Sequence, residues 1–403
     1  MAGSAVEEIR AQALEVAAGW SPAGAPDSWR LTAALFRVIA ADEDLLLRLA
    51  GLPSDRLPAL LASAAVSFLV RRDRPEPLAG YFPRPGAAPP PFDDGFCPAA
   101  RAFIAARLDD IIAECAQRRY QMNEVARCTQ IALGVAATAG HATGPVGLVD
   151  LGTGAGLGLQ LDRFRYLVGG RASGPPVAAL CLSCDVRGTR APPGVTLPPI
   201  AERAGIDVAP VDLRDPAARS WLLACAPPEA SAVDRLATAI QVTRRHPARI
   251  LAGDVIDVLP GVLGRLAPGR AVFVVDAYLA VFLPPQRRAE LTRIMAEAGR
   301  TRPVTWLSLD PLVPLGPSGR DSVQGLELPA SLITDYQRHG VFAVLGAQTF
   351  HRGTERRRLL ARAHPSGQWV EWLDGEPDSR LGLGKNRHVP ATPLGDQGCG
   401  APR

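Results

Sequence analysis

From residue 5 to residue 70, apolar side chains recur at steps of three and four, the spacing that places them on one face of an α-helix. The pattern is clear in SWRLTAALFRVIAADEDLLLRLAGLP, where Gly51 and Pro53 end it. It returns over residues 99–117 and continues, through NEVARCTQIALGVAATAG, to Gly140. The pattern therefore predicts an all-helical N-terminal region.

Eight prolines lie within residues 72–98. Proline removes a backbone donor and fixes φ, so neither a helix nor a central strand fits there. We interpret this segment as a connector inside the helical region. That region spans residues 1–115 and is expected to form a lid or a wall of a substrate site.

After Gly144 the pattern changes, because short apolar runs such as GLVDLG, AVFVVDAYL and PVTWLSLD alternate with helix-like segments. This alternation is typical of an α/β protein with a mostly parallel sheet, which we expect over residues 116–372. Residues 342–350 and 356–372 leave little room for a helix and predict an antiparallel C-terminal end to the sheet. Residues 373–403, polar and rich in glycine and proline, are expected to form a flexible tail.

The composition fits a compact globular protein. The chain has 403 residues, of which 47% are hydrophobic and 21% charged, enough for a large core and for two domains or one large domain with an elaborated end. Its net charge of +4 rests almost entirely on arginine, with Lys385 the only lysine, and basic residues form no nucleic-acid footprint. We therefore expect no nucleic-acid partner.

No apolar run approaches the roughly 18 residues that a membrane-spanning helix needs, and the first residues lack the basic start of a secretory signal. We expect a soluble, cytoplasmic protein without a membrane partner. Among seven cysteines only Cys181 and Cys184 form a C-x-x-C pair, and no second pair or histidine pair follows. These thiols are interpreted as structural or incidental in preference to metal-binding or redox-active, and no metal site is expected.

The segment GLVDLGTGAGLGLQLDRF carries the strongest chemical signal. Apolar residues ending in Asp150 predict a strand, Gly152, Gly154 and Gly156 predict a tight turn, and the next residues predict an amphipathic helix. Glycine permits positive φ and lets backbone amides approach a ligand. Because a dinucleotide site uses G-x-G-x-x-G, the G-x-G-x-G spacing disfavours a nicotinamide cofactor.

This unit resembles the first motif of the class I S-adenosylmethionine-dependent methyltransferases, in which a hydrophobic strand is followed by Asp/Glu-x-Gly-x-Gly-x-Gly and a helix. The resemblance implies a Rossmann-like sheet and S-adenosylmethionine as cofactor, with Asp150, Gly152, Gly154 and Gly156 around its methionine and ribose parts. It also implies an acid at the end of the second strand, which holds the ribose hydroxyls, and a polar residue after the third strand, beside the adenine.

Two aspartates fit these further positions. Asp254, in ARILAGDV, follows an apolar run in the context expected after the third strand. For the second strand we prefer Asp207, because a strand-like run leads into it, and keep Asp185 and Asp212 as alternatives. All three alternatives lie further from the glycines than the family spacing implies.

A second resemblance covers residues 31–372 and is to a bacterial, largely actinobacterial, family, domain-of-unknown-function family 2332. QMNEVARC at 121–128 is similar to its Q-T-N-E-V-G-R, VDLGTGAGLGLQLDRFRY at 149–166 to its E-I-G-A-S-A-G-L-N-L-x-x-D-R-Y-R-Y, and RAGIDVAPVD at 203–212 to its R-G-C-D-x-x-P-x-D. Gly154 departs from the family pattern, since serine is expected there. The family label implies no reaction.

Polar residues near the glycines are candidate substrate ligands. Asn123, Glu124 and Arg127 are predicted to share one helix face, and in methyltransferase folds such a helix covers the cofactor pocket. They could hold the cofactor carboxylate or the substrate, with Glu124 also a catalytic candidate; a salt-bridge cluster is the alternative. Asp162 and Arg163 are further candidates for substrate binding, although charged residues on an amphipathic helix usually form its solvated face.

Asp276 and Tyr278, in AVFVVDAYL, follow the predicted fourth strand, where the resemblance places catalytic and substrate-facing residues near the transferred methyl. Methyl transfer is an in-line displacement, so the protein aligns the partners and, for some nucleophiles, accepts a proton. Asp276 is the candidate base, and an aspartate that caps the next helix is the alternative. Asp310 and the histidines receive no role.

Together these features predict an S-adenosylmethionine-binding enzyme that acts on a small molecule, for instance in specialised metabolism, by methyl transfer to oxygen, nitrogen or carbon. Two alternatives stay open. One is a non-methylating reaction of the same cofactor, by intramolecular displacement or by transfer of another alkyl group. The other is a non-catalytic scaffold that retains the fold, favoured by the lack of an unambiguous acid, base or nucleophile.

Overall fold

The computed structural model describes residues 2–21, 27–53, 56–88, 92–142, 144–227, 229–311, 322–323, 326–339 and 342–374. The predicted tail lies outside these residues from position 375 onwards. The helices are α1 (Ala2–Gly19), α2 (Asp27–Ala41), α3 (Glu43–Leu49), α4 (Pro58–Asp73), α5 (Phe96–Ala106), α6 (Leu108–Gln117), α7 (Cys128–Thr138), α8 (Pro216–Cys225), α9 (Ala230–Arg245), α10 (Val255–Arg265), α11 (Pro285–Ala298) and α12 (Ala330–His339).

The strands are β1 (Val146–Leu151), β2 (Arg165–Val168), β3 (Arg171–Ser173), β4 (Cys181–Arg187), β5 (Ile200–Asp207), β6 (Arg249–Ala252), β7 (Val272–Ala277), β8 (Val304–Pro311), β9 (Ser322–Val323), β10 (Leu326–Glu327), β11 (Ala343–His351), β12 (Thr354–Ala363) and β13 (Trp369–Trp372). Short 3-10 helices lie at Leu78–Tyr81, Val125–Arg127, Ala139–His141, Gly158–Arg163 and Ala280–Phe282.

The chain forms two compact units, each made of separate stretches of sequence. The first contains Met1–Val125, Gly152–Gln160 and Ala204–Val255, and the second contains Ala126–Leu151, Leu161–Arg203 and Ile256–Arg403. This division cuts across the predicted boundary between residues 115 and 116. The reason is that α8, which follows β5 in sequence, packs against α4 of the N-terminal helical region.

The first unit has a helical core. Leu31, Leu35 and Ile39 recur at four-residue steps on α2 and are fully buried, as the apolar spacing predicts. α8 joins this core through Trp221, whose ring meets that of Phe68 edge-on with centroids 5.7 Å apart. The core therefore combines the predicted N-terminal helices with a helix from the later part of the chain.

The second unit is built on a mixed sheet with the strand order β3-β2-β4-β13-β12-β11-β8-β7-β1. β1, β7 and β8 run parallel, with Leu151 opposite Asp276 and Asp276 opposite Ser308. β11 pairs antiparallel with both β8 and β12. The predicted α/β class and the antiparallel pairing of the C-terminal strands are confirmed.

α7 covers one face of this sheet. A Cβ built on Gly134 would lie 3.0 Å from Leu307 of β8 and 3.4 Å from Leu345 of β11, so a larger residue here would require these leucine side chains to shift. Because α7 is anchored to the sheet, it also fixes the residues that precede it, Val125–Arg127.

The predicted helix through Asn123 and Glu124 is wrong. Residues 118–124 have no helical structure and lead into the 3-10 helix Val125–Arg127. The apolar run that suggested a longer helix begins at Val125, and the polar residues before it lack the apolar partners that helical packing would need. The two residues therefore share no helix face with Arg127.

The amphipathic α-helix predicted after the glycines is also absent, since the 3-10 helix Gly158–Arg163 occupies this segment and leads to β2. Leu157, Leu159 and Leu161 are all buried although they alternate along the chain. An α-helix would turn alternate residues to different faces. Burial of all three leucines therefore favours the observed 3-10 helix over an α-helix.

Among the described helices, none is both long and apolar enough to cross a membrane. The described cysteines are free thiols. Burial raises the pKa of Cys184 to about 12, so this thiol stays protonated at neutral pH. The described residues include no group of three or more His, Cys, Asp or Glu that could hold a metal ion.

Candidate functional site

The glycine turn (residues 152–156) belongs to the first unit and is held together by its own backbone. Its glycines have positive φ: +67° at Gly152, +55° at Gly154 and +77° at Gly156. The amides of Gly152 and Thr153 both donate to the Ile206 carbonyl, at 2.8 and 3.2 Å, and the Gly156 amide donates to the Thr153 carbonyl at 2.9 Å. These amides are engaged within the protein, contrary to the expectation that they would face a ligand.

The Asp207 carboxylate fastens the turn to the end of β5. One of its oxygens accepts a hydrogen bond from the Gly154 amide and the other from the Ala209 amide, both at 2.8 Å. The Gly154 carbonyl in turn accepts from the Val211 amide at 3.0 Å. A carboxylate has about four acceptor positions, so each oxygen of the half-buried Asp207 can accept a further hydrogen bond.

Asp254 lies at the same edge of the first unit, because β5 and β6 run parallel. Asp207 is opposite Ala252 in the register, and the Gly253 amide donates to the Asp207 carbonyl at 2.9 Å. Asp254 is the next residue. The glycine turn, the predicted second-strand acid and the predicted third-strand acid are thus brought together at the carboxyl ends of β5 and β6.

The two alternatives to Asp207 have other surroundings. Asp185 lies in β4 of the second unit, opposite Trp369 of β13. Asp212 is exposed and forms an ion pair with Arg214 at 2.9 Å, which lowers the pKa of Asp212. Asp207 is therefore the acid that the structure places on the glycine turn.

Gln121 and Asn123 lie over Gly154. A Cβ built on Gly154 would be 3.0 Å from the Gln121 Oε1 atom and 3.6 Å from the Asn123 Oδ1 atom. The Asn123 side-chain nitrogen is buried and has no hydrogen-bond partner among the described residues. The open side of this glycine is therefore occupied by two polar side chains, one of which retains an unused donor.

Glu124 is engaged in an ion pair. Two guanidinium nitrogens of Arg235, on α9, donate to its two carboxylate oxygens, each at 3.2 Å. Both side chains are largely buried, with 15% of Glu124 and 23% of Arg235 exposed. This matches the salt-bridge alternative for Glu124 more closely than the catalytic one.

A cavity of about 940 Å³ opens beside the glycine turn, within the range of small-molecule pockets. Its walls are Ala155 and Gly156, residues 210–214, and residues between Gln241 and Ile250. The cavity contains several arginine side chains, whereas the lining residues do not include Asp207 or Asp254. A nucleoside that used both acids would therefore extend beyond this cavity.

In the second unit, Asp162 and Arg203 form a bidentate ion pair, in which the two terminal nitrogens of Arg203 donate to the two carboxylate oxygens at 2.8 and 2.6 Å. This pair connects the 3-10 helix Gly158–Arg163 with β5 and gives Asp162 a structural role. The neighbouring Arg163 has a buried Nε atom without a partner among the described residues. Asp150 is a buried residue of β1, opposite Val275 of β7.

Two carboxyl groups meet at the carboxyl ends of β7 and β8. Asp276 accepts hydrogen bonds from Trp306 Nε1 at 2.7 Å and lies 3.1 Å from the Ser308 hydroxyl, which is itself 2.7 Å from Asp310. Asp276 and Asp310 are each only 1% exposed. Burial, and secondarily the Asp310 charge, raises the pKa of Asp276 well above its usual value.

The same carboxyl groups cap the next segment. The Ala280 amide donates to Asp276 at 3.4 Å and the Val281 amide donates to Asp310 at 3.0 Å. The capping alternative for Asp276 therefore has direct support, and its service as a base stays a prediction.

Tyr278 and Arg127 form a stacked pair in the second unit. The Arg127 guanidinium carbon lies 3.7 Å from the centre of the Tyr278 ring. Tyr278 has a φ of +69°, unusual for a residue with a side chain. Burial raises its pKa to about 12. The phenol is therefore a hydrogen-bond donor at neutral pH.

Sequence reasoning missed Trp306, Ser308 and Asp310, although a signal was present. In TWLSLDP these residues alternate with leucines, so that one face of β8 is polar while the whole strand is buried. A buried polar face at a strand end marks a hydrogen-bonded cluster.

Comparison with known families gives one finding. The sequence model of the family described as "Uncharacterized protein conserved in bacteria (DUF2332)" matches residues 9–372. No curated protein matches the chain.

Proposed function

The chain belongs to this bacterial family, and we propose that it is an S-adenosylmethionine-binding enzyme that transfers the methyl group to a small molecule. The observation that carries the proposal is the meeting of the glycine turn with Asp207 and Asp254 at one edge of the first unit. Asp254 stands in sequence where a methyltransferase-like Rossmann sheet would need it, and Asp207, although further from the glycines than the family spacing implies, ends the strand that holds the turn.

The residues present fit the cofactor in two respects. Each Asp207 oxygen accepts one backbone amide and keeps capacity for one more hydrogen, as the two hydroxyls of a ribose require. Asn123 has a buried, unused donor beside Gly154, which suits an acceptor atom such as a carboxylate oxygen. Negative charge on Asp207 and Asp254 also favours a cationic sulfonium nearby.

When bound, S-adenosylmethionine supplies an electrophilic methyl group. The chain would then hold the ribose through Asp207, hold the adenine side near Asp254 and orient the amino-acid part through Asn123. Catalysis would rest mainly on this alignment, because in-line displacement gains most from correct positioning. The roles of Asp276 and Tyr278 in proton transfer stay predictions.

One observation favours the second candidate, a scaffold that retains the fold without the cofactor. The amides of Gly152, Thr153, Gly154 and Gly156 are all used inside the first unit, and Gln121 and Asn123 cover Gly154. In this alternative, the glycines adopt positive φ so that the turn can form its own hydrogen bonds, and the turn binds no ligand.

Isothermal titration with S-adenosylmethionine and S-adenosylhomocysteine distinguishes the two candidates. Wild-type protein should bind both, and Asp207→Asn should weaken binding by roughly ten- to a hundredfold, the effect of one lost charge-assisted hydrogen bond. Asp109→Asn removes the same charge from an exposed position of the first unit and should leave affinity unchanged. Asp212→Asn tests the alternative acid.

Absence of binding to well-folded wild-type protein would refute the proposal and leave the scaffold. If the cofactor does bind, mass spectrometry of the products formed in cell extract separates the reactions. A mass increase of one methyl group indicates methyl transfer, and any other change indicates another reaction of the sulfonium.

A further inference from the structure

Tyr278 is held in a strained position at the end of β7. Its φ of +69° lies in the left-handed region, which is strained for a residue with a Cβ. The Tyr278 amide donates to the Leu309 carbonyl at 2.8 Å, and the Asp276 and Asp310 carboxyl groups hold the residues that follow. Strain of this kind persists only where the surroundings fix it, and it is common at binding sites.

The Tyr278 hydroxyl is buried and has no hydrogen-bond partner among the described residues. A buried hydroxyl without a partner is destabilising, and native proteins rarely retain one without a function or a bound molecule. The described residues therefore supply no acceptor atom for this hydroxyl, and a bound molecule could supply one.

Arg127 provides two further donors next to this hydroxyl. Its Nε atom donates to the Pro365 carbonyl at 2.8 Å, which orients the guanidinium over the tyrosine ring. Its two terminal nitrogens make no hydrogen bond or ion pair with the part of the chain that the structure describes. Close packing of Ala126 against Gly367, where a Cβ would meet backbone at 2.6 Å, keeps this arrangement rigid.

The neighbouring charges select the type of anion. His364 is neutral at pH 7, because burial and, secondarily, Arg187 and Arg127 lower its pKa to about 4. The Asp310 charge acts on Tyr278, since it contributes to the raised pKa of the phenol, and a negative charge there repels a dianion more strongly than a monoanion. A planar monoanion with two acceptor oxygens can accept hydrogen bonds from the two terminal nitrogens of the guanidinium group and from the phenol.

We propose that Tyr278 and Arg127 form a binding site for the carboxylate group of a small organic molecule. The two terminal nitrogens of Arg127 donate to the carboxylate oxygens, and the Tyr278 hydroxyl donates a third hydrogen bond. That this carboxylate belongs to the methyl acceptor rests on the proposed function; the binding site itself does not.

Sodium benzoate is a suitable probe, with benzamide as its uncharged counterpart and phenyl phosphate as its dianionic one. In calorimetric titrations of the full chain without cofactor, benzoate should bind at least about tenfold more tightly than either comparator. Arg127→Lys and Tyr278→Phe should each weaken benzoate binding by about three- to tenfold. Arg30→Lys is the matched control, because Arg30 also stacks on an aromatic ring, that of Phe92, but is exposed and belongs to the first unit.

Thermal unfolding distinguishes a ligand-binding tyrosine from one with only a structural role. Since Tyr278→Phe removes an unpaired buried hydroxyl, it should leave the melting temperature of the ligand-free protein unchanged or raised while it weakens benzoate binding. A lowered melting temperature with unchanged benzoate affinity would show that the hydroxyl serves the fold through bound water and would overturn the proposal. Equal binding of phenyl phosphate would overturn the choice of a monoanion.

A final arm separates this proposal from the cofactor. Benzoate that binds equally well in the presence of S-adenosylhomocysteine supports a substrate carboxylate, whereas competition between the two would assign the site to the cofactor's carboxylate and overturn the assignment. If S-adenosylhomocysteine does not bind, the proposed function is refuted, and the benzoate titration without cofactor still tests the carboxylate site by itself.

Discussion

Replacing Asp276 with asparagine tests the interpretation of the buried acid pair. The Ser308 hydroxyl lies 3.1 Å from Asp276 and 2.7 Å from Asp310, yet it carries a single hydrogen. One carboxyl group must supply the second hydrogen. Burial raises the pKa of Asp276, so we expect Asp276 to be the group that keeps its proton in the native protein.

The expected effect follows from proton linkage. An unfolded aspartate ionises near pH 4, whereas native Asp276 retains its proton above that pH, so the native state binds more protons and stability falls as pH rises. For one proton the slope is about 1.4 kcal/mol per pH unit, until the pH reaches the raised pKa of the native group. Asp276→Asn keeps a neutral donor and removes this penalty.

Hydrogen exchange of peptides that cover β7 and β8 measures the result. The opening free energy of Asp276→Asn relative to wild type should increase with pH, by up to about 1.4 kcal/mol per unit from about pH 5 upward. Asp276→Ala leaves Trp306 Nε1 without an acceptor and should lose about 1–3 kcal/mol. Curves for wild type and Asp276→Asn that run parallel over the whole range would refute a protonated Asp276.

Two further predictions concern the first unit. In denaturant titration, Gly154→Ala should lower the free energy of unfolding by about 1–2 kcal/mol, because a Cβ at positive φ is strained and would contact Gln121. The control Gly140→Ala should lower it far less, because no atom lies near a Cβ at that position. The Glu124 and Arg235 pair should show a coupling energy of about 1–3 kcal/mol in a double-mutant cycle of unfolding free energies, and additive single changes would show that the pair contributes nothing.

The sequence predicted those features that depend on local pattern. The three- and four-residue spacing in α2 indicated a helix, and the apolar runs at β1, β7 and β8 indicated a buried sheet. The glycines predicted a turn, because positive φ is a local requirement of a single residue.

The features that local pattern does not predict depend on distant residues. The sequence leaves Glu124 open between a ligand and a salt bridge, because its partner, Arg235, lies 111 positions away. The turn amides were expected to face a ligand because nothing local shows that Ile206 and Asp207 accept their hydrogens. Ser308 gained its role only through the register that sets it opposite Asp276. Long-range pairing of this kind is invisible to periodicity.

A crystal structure of the protein with S-adenosylhomocysteine tests the central claim most directly. Our account predicts electron density for the nucleoside at the carboxyl ends of β5 and β6, with the ribose hydroxyls within hydrogen-bond distance of Asp207. Density confined to the arginine-containing cavity, or a glycine turn that stays covered by Gln121 and Asn123 at saturating ligand, would contradict it.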